Sequence, residues 1–310
     1  MRGIGARNEV GRSRFTRRTL PCCPVSVPIP LTFGFSPCPN DTFAFHRAVH
    51  GGAAAHGLQL QPHLEDIEAL NRRAVAGPEA FDVTKLSIPA LARVLDRYAA
   101  LPSGAALGFG CGPLVVRRED SPLRSLQDLG DARVAIPGEH TTAWLLLRSL
   151  GPAPREVVPM RFDAIMAAVE DGAVDAGLVI HEGRFTYAAR GLAQLADLGE
   201  LWEQQTGGPL PLAVIAARRD LDAATFARVG ATLRDSVLAA RSDPAASRDY
   251  VRAHAQELDD AVCAQHIALY VNDYSVDLGE VGRRAVEELV ARGRAAGVLP
   301  PGPAVFREGA

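Results

Sequence analysis

A single lysine, Lys85, stands among 33 basic residues, the rest of which are arginine. In a chain that takes arginine almost everywhere, a remaining lysine is a candidate for a place where arginine would fail. Lysine offers a compact ammonium with three donors, whereas arginine offers a wide planar fork. Lys85 lies in Phe81-Asp82-Val83-Thr84-Lys85-Leu86-Ser87-Ile88-Pro89, which reads as a strand running into a helix start. Open α/β sheets bind ligands at such strand ends. An ammonium beside the Ser87 hydroxyl would clamp a carboxylate or a hydroxyl group. The competing account is a surface lysine left by chance, with Ser87 a plain N-cap.

Three more segments carry polar groups at strand ends. In Ser36-Pro37-Cys38-Pro39-Asn40-Asp41-Thr42-Phe43 two prolines stiffen a turn, and Asn40 or Asp41 would cap the helix that follows. The free N–H groups of that helix's first turn could hold a carboxylate, although a rigid βα loop accounts for the segment equally well. Pro137-Gly138-Glu139-His140-Thr141-Thr142 places two hydroxyls at another helix start, as an anion site or as a capping pair. His181 follows the apolar run Ala176-Gly177-Leu178-Val179-Ile180 and precedes Glu182-Gly183-Arg184-Phe185. A histidine at the end of a buried strand is placed for proton transfer, with an acidic limb near pH 6–7 if its acidity is ordinary. It is also a common structural residue, and His140 is the competing base. The other histidines (His46, His50, His56, His63, His254 and His266) read as solvated or core-edge.

The elements that must position these groups alternate. Strands are predicted at 31–35, 58–64, 81–84, 113–117, 134–136, 157–160, 174–180 and 209–217. Helices are predicted at 41–50, 67–76, 89–95, 142–150 and 162–170, then at 223–241, 244–255, 260–270 and 279–297. Strand–helix alternation means parallel or mixed sheets. Two crossing strands, near 113–118 and 210–218, predict a discontinuous first lobe of residues 30–116 and 218–310, with residues 117–217 inserted as a second lobe. The expected architecture is α/β, two-lobed and type II periplasmic-binding-protein-like, with a ligand cleft between the lobes.

Composition narrows the function. With 310 residues the chain exceeds one ordinary core, in line with two lobes. A net charge of −3 argues against nucleic acid as a main partner, which calls for a basic face. No run approaches the ~18 apolar residues of a membrane span. The five cysteines (Cys22, Cys23, Cys38, Cys111, Cys263) show no metal-ligand spacing and fit reduced cytoplasmic thiols. Cys38 lacks the surroundings of a nucleophile. Residues 1–29 carry six arginines against one acid and no hydrophobic period. Arg17-Arg18 is followed by four prolines within residues 19–30 instead of an apolar helical core, so a signal peptide is rejected. A disordered or spurious extension is expected there. Phosphate-cradle, zinc and serine-triad motifs are all missing, which leaves cofactor-independent proton transfer or ligand binding, with no metal and no cofactor expected.

These segments, together with Thr84-Lys85-Leu86-Ser87, Gly112-Pro113-Leu114-Val115-Val116, Ile180-His181-Glu182-Gly183-Arg184-Phe185-Thr186-Tyr187 and Tyr270-Val271-Asn272, resemble the 1,4-dihydroxy-6-naphthoate synthases of the futalosine route to menaquinone. The resemblance runs in order over residues 31–300, and the N-terminal tail has no counterpart in it. It implies a carbon–carbon lyase that cleaves cyclic dehypoxanthinyl futalosine, a small carboxylate, to 1,4-dihydroxy-6-naphthoate and a three-carbon product. It implies His181 as proton acceptor, and Lys85, Leu86, Ser87, Thr141 and Thr142 as substrate-binding residues. A chorismate dehydratase of the same pathway and a solute-binding protein for a small carboxylate are the alternatives. The first lacks the Ser36–Phe43 type of loop, and the second needs an export signal or lipid anchor.

Overall fold

A computed structural model describes residues 27–256 and 259–307, so the expectation of a dispensable N-terminal extension lies mostly outside the described residues. The first strand begins at Ile29, which pairs with Leu58, so structure starts two residues before the predicted Leu31 and inside the stretch set aside as tail.

The chain begins as a run of alternating elements: β1 (Ile29–Phe35), α1 (Pro39–Val49), β2 (Leu58–Leu64), α2 (Ile67–Ala76), β3 (Val83–Ser87), α3 (Ile88–Arg93), β4 (Tyr98–Ala100) and β5 (Ala106–Gly108). It then passes into β6 (Leu114–Arg118), β7 (Arg133–Ile136), α4 (Thr142–Leu150), β8 (Glu156–Pro159), α5 (Ile165–Glu170), β9 (Ala176–Val179), α6 (Gly183–Thr186), β10 (Leu192–Asp197) and α7 (Leu198–Thr206). It returns through β11 (Leu210–Arg218) and finishes in α8 (Ala223–Ser242), α9 (Arg248–His254), α10 (Asp260–Tyr270), α11 (Asp273–Val276) and α12 (Gly279–Ala295).

One sheet has the order β2-β1-β3-β11-β4, with β5 also on β11; the other has the order β10-β6-β9-β7-β8. Pairs joined through a helix are parallel, as β1 with β2 and β7 with β8, because a crossover helix returns the chain to the same end of the sheet. The two long-range strands run the other way: β11 is antiparallel to β3, and β6 is antiparallel to β9.

Both crossing strands exist, yet each belongs wholly to the sheet it enters. Among the described residues β6 pairs only with β9 and β10, and β11 only with β3, β4 and β5. The chain therefore changes sheet between Gly108 and Leu114 and again between Asp197 and Leu210, earlier than the breaks at 116/117 and 217/218 expected from sequence. An apolar run marks burial within a sheet and carries no information about which end of it is the junction.

Strand β3 is buried along its whole length because β1 and β11 flank it and helices cover both faces. Alternation along it sends Val83 into one core with Phe33, Phe35, Phe45, Ile215 and Phe226, and Leu86 into another. That second core is shared between the sheets: Leu86, Leu91 and Val214 pack in one cluster with Val115, Val134, Ile136 and Leu178. The two lobes are thus joined by apolar contact, and the cleft opens beside this shared core.

Candidate active site

Helix α1 starts at Pro39 with Cys38 at the cap position and no side-chain capping bond, so neither Asn40 nor Asp41 caps it. Proline favours the first helical position because its missing N–H would have no partner there. The start is thereby drawn two residues earlier than predicted, which puts Asp41 inside the first turn. Its carboxylate turns back. Oδ2 accepts from the backbone N–H of Ser36 at 3.1 Å and from its hydroxyl at 2.7 Å, and Oδ1 accepts from Asn40 Nδ2 at 2.8 Å. Lys85 Nζ completes the set, 2.5 Å from Oδ1. The two charged side chains are 4% and 3% exposed, a buried ion pair at the floor of the cleft. The lysine singled out from composition therefore already holds a carboxylate of the protein, while still lining the cavity.

His181 sits two residues past the end of β9 and is the only non-glycine residue with a positive φ (+57°) among the described residues. Such left-handed geometry is uncommon for a residue with a Cβ and persists where surrounding contacts over-determine it. Its Nδ1 lies 3.5 Å from Cys38 Sγ, whereas Nε2 is buried without a partner. The Phe162 ring meets its face edge-on at 4.8 Å between centroids, and the His266 ring stands nearly perpendicular at 6.1 Å. Burial, then the nearby Lys85 charge, push the imidazole down to about 3, well below the ordinary range expected from sequence. The ring is therefore neutral at working pH, with a lone pair available.

Thr141 is the N-cap of α4: its hydroxyl accepts from Trp144 N and donates to Gly138 O at 2.8 Å. Thr142 accepts from Ile88 N at 3.3 Å and donates to Leu212 O at 2.6 Å. Both hydroxyls are thus engaged within the protein, and the Thr142 bonds reach across to the other sheet. The donors that α4 brings to the cavity are the N–H groups of Thr142 and Ala143, first-turn positions with no intrahelical acceptor, in residues that line it. Ser87 also lines the cavity, and its Oγ accepts from Asn71 Nδ2 at 3.0 Å, which leaves its own O–H to donate. No side-chain capping bond forms, so Ser87 is not the plain N-cap of the rival account. Leu86 is separated from the rest. Strand alternation points it into the shared core, and it is not among the lining side chains.

Beside this floor a bridge closes the cleft. The buried Glu68 carboxylate accepts from His140 N at 3.3 and 3.4 Å, and Asn71 Nδ2 donates to His140 O at 3.3 Å. Gly138 makes room for it: with φ at +148°, a Cβ there would fall 2.2 Å from Glu68 Cδ. His140, the competing base, does not line the cavity; its backbone serves the bridge.

The cavity between the lobes has a volume of about 70 Å³. Sequence reasoning missed four residues in or beside it. His266, set aside as solvated or core-edge, is buried beside His181, and Tyr270, one turn further along α10, lines the cavity. The i, i+4 spacing of His266 and Tyr270 was the available signal. Glu68 and Asn71 showed as ordinary polar residues of an amphipathic helix. Cys38, His181 and Glu182 place ligand atoms within 4.8 Å of one another, a donor set for a soft divalent ion. Burial, followed by the Glu182 charge, raises the Cys38 thiol well above its ordinary range, which opposes the thiolate such an ion requires.

Two mixed sheets with a ligand cleft between them define a two-lobe periplasmic-binding-protein-like fold. The aliphatic sulphonate binding protein SsuA of Escherichia coli shares it, at 16% identity over 90% of this chain and 91% of that one, with a TM-score of 0.63. A solved protein of Archaeoglobus fulgidus is nearer, at 34% identity over 87% of this chain and 98% of its own, with a TM-score of 0.77. Residues 31–295 match the family described as menaquinone biosynthesis. Among curated relatives, the 1,4-dihydroxy-6-naphthoate synthase of Thermus thermophilus is 50% identical over 275 residues, covering 88% of this chain and 97% of the relative. That of Streptomyces coelicolor is 49% identical over 278 residues, covering 87% and 95%. The chain belongs to the menaquinone biosynthesis family and is an enzyme of that pathway.

Proposed function

We propose that the protein cleaves cyclic dehypoxanthinyl futalosine to 1,4-dihydroxy-6-naphthoate, as a carbon–carbon lyase with His181 as general base. The observation that carries this reading is the buried, unpartnered Nε2 of a neutral imidazole in a residue that lines the cleft between the lobes. A protein that only binds a solute has no need of such a group. In the reaction Nε2 takes a proton from the sugar-derived part of the substrate. The C–H electron pair drives cleavage of a carbon–carbon bond, and the bicyclic fragment aromatises as the three-carbon product leaves. The Ser87 hydroxyl and the first-turn N–H groups of α4 hold the carboxylate, and Lys85 supplies positive potential where negative charge develops. A positioned base of this kind contributes roughly 10²–10⁴-fold in rate.

The reaction as written needs no cofactor, metal, nucleic acid or membrane partner. A cytoplasmic location is supported by Cys38 and Cys111, buried thiols joined in no disulfide among the described residues, as in a reducing compartment. No helix among the described residues is long and apolar enough to cross a membrane. The test is turnover of cyclic dehypoxanthinyl futalosine by purified protein, read from the naphthoate chromophore. Binding without turnover would make the protein a carboxylate-binding protein, and dehydration of chorismate in its place would make it the sister enzyme.

A further inference from the structure

We propose that Cys38 is the positioning residue of the base: its sulfur accepts the Nδ1–H of His181 and thereby leaves the Nε2 lone pair for the substrate. The proposal rests on the reading of His181 as base. A neutral imidazole carries one N–H, and the partner of one nitrogen decides the state of the other. If Cys38 donated its S–H to Nδ1, the proton of His181 would sit on Nε2 and the ring could accept nothing from the cleft.

The direction follows from the role. Cys38 Sγ is the partner of His181 Nδ1, 3.5 Å away, whereas Nε2 is buried without one. A base needs a bare Nε2, so the single N–H of the neutral ring sits on Nδ1 and points at the sulfur lone pairs.

The sulfur is also held in place. Pro37 and Pro39 restrict the backbone on both sides of Cys38, and its carbonyl accepts the Thr42 hydroxyl at 3.1 Å. Cys38 is not among the residues lining the cavity, so it acts through His181 and not on the substrate. The Ser36–Phe43 loop thus belongs to the base as well as to the floor of the cleft.

The test uses the full chain labelled with ¹⁵N-histidine, the His181 signals being those lost in His181→Ala. The expected wild-type spectrum has Nδ1 protonated and Nε2 bare. Cys38→Ala should move His181 toward the Nε2–H form and lower kcat about tenfold to a hundredfold, with KM little changed. Cys38→Ser keeps an acceptor and should restore both tautomer and most of kcat. A protonated Nε2 in the wild type, or an unchanged tautomer in Cys38→Ala, would overturn the proposal. A shifted tautomer with undiminished kcat would uphold the sulfur–imidazole bond and remove His181 from the role of base, so the two claims fail separately.

Discussion

His181 couples backbone strain to an emptied hydrogen-bond site: the residue with the +57° φ is the one whose Nε2 has no partner. Replacing it by alanine removes the base but keeps the Cβ and with it the left-handed strain, which only glycine would relieve. His181→Ala should still fold, with kcat lower by roughly 10² or more; near-normal turnover would return the residue to a structural role. The depressed acidity also moves the pH profile. In the free enzyme the base is protonated only near pH 3, so kcat/KM should stay flat through pH 6–7, where an ordinary histidine would impose an acidic limb. An observed limb at 6–7 that vanishes in His181→Ala would show that the imidazole is better solvated than its packing indicates. Lys85 gives the second residue-scale expectation. Its ammonium fits against Asp41 with both side chains buried, and a guanidinium does not fit in that space. Lys85→Arg should raise KM and lower the melting temperature. Lys85→Ala, which strands the Asp41 carboxylate, should cost about 3–5 kcal/mol of stability.

At the scale of elements, the start of α4 carries two duties. It presents first-turn N–H groups to the cavity, and it is bonded to the other lobe through Thr142, Glu68 and Asn71. Substrate binding and lobe closure are therefore served by the same turn. Gly138→Ala tests this without touching a polar group, since the added Cβ would meet the Glu68 carboxyl. The expected result is a KM raised at least severalfold together with a lower melting temperature, because alanine is strained at this φ, while the shared apolar core still joins the lobes. An unchanged KM would show that the bridge forms without influence on the bound state. The strands missed from sequence have a common cause. β4, β5 and β10 are Tyr-Ala-Ala, Ala-Leu-Gly and Leu-Ala-Gln-Leu-Ala-Asp, short and free of β-branched residues. They are strands because β11 and β6 present edges to pair with, a tertiary cause that overrides weak local preference.

For the molecule as a whole, neutral histidines in the cleft set its acid tolerance. His181 is pushed down to about 3, and His266 is lowered well below its usual value by burial first, and then by its neighbours His181 and Lys85. In the unfolded chain both titrate near 6.5. The unfolded state therefore binds more protons below that pH, so stability is complete above about 6.5 and is lost as pH falls toward 3. Denaturant midpoints should fall across that interval. His266→Phe, which keeps a ring among Phe185, His181 and Tyr270, should flatten the slope. An equal slope in the variant would place the acid sensitivity elsewhere.

Much of the site was legible in order along the chain, because its groups fall at strand-to-helix junctions and such junctions are marked locally by Pro, Gly, Ser and Thr. The Ser36–Phe43 loop, the strand carrying Lys85 and Ser87, the Thr141-Thr142 turn and the position of His181 could all be read that way, as could the alternation that makes two α/β sheets. What each group holds was decided by the tertiary structure. Lys85 faces Asp41, Thr142 faces the opposite lobe, Leu86 turns to the core, and Cys38 meets His181 across 143 positions of chain. Burial decided the rest: it lowers the acidity range of His181, and it draws His266 from an unremarked helix position to the side of the base. Local sequence sets backbone direction over a few residues, whereas partners and desolvation depend on which distant segments the closed fold brings together.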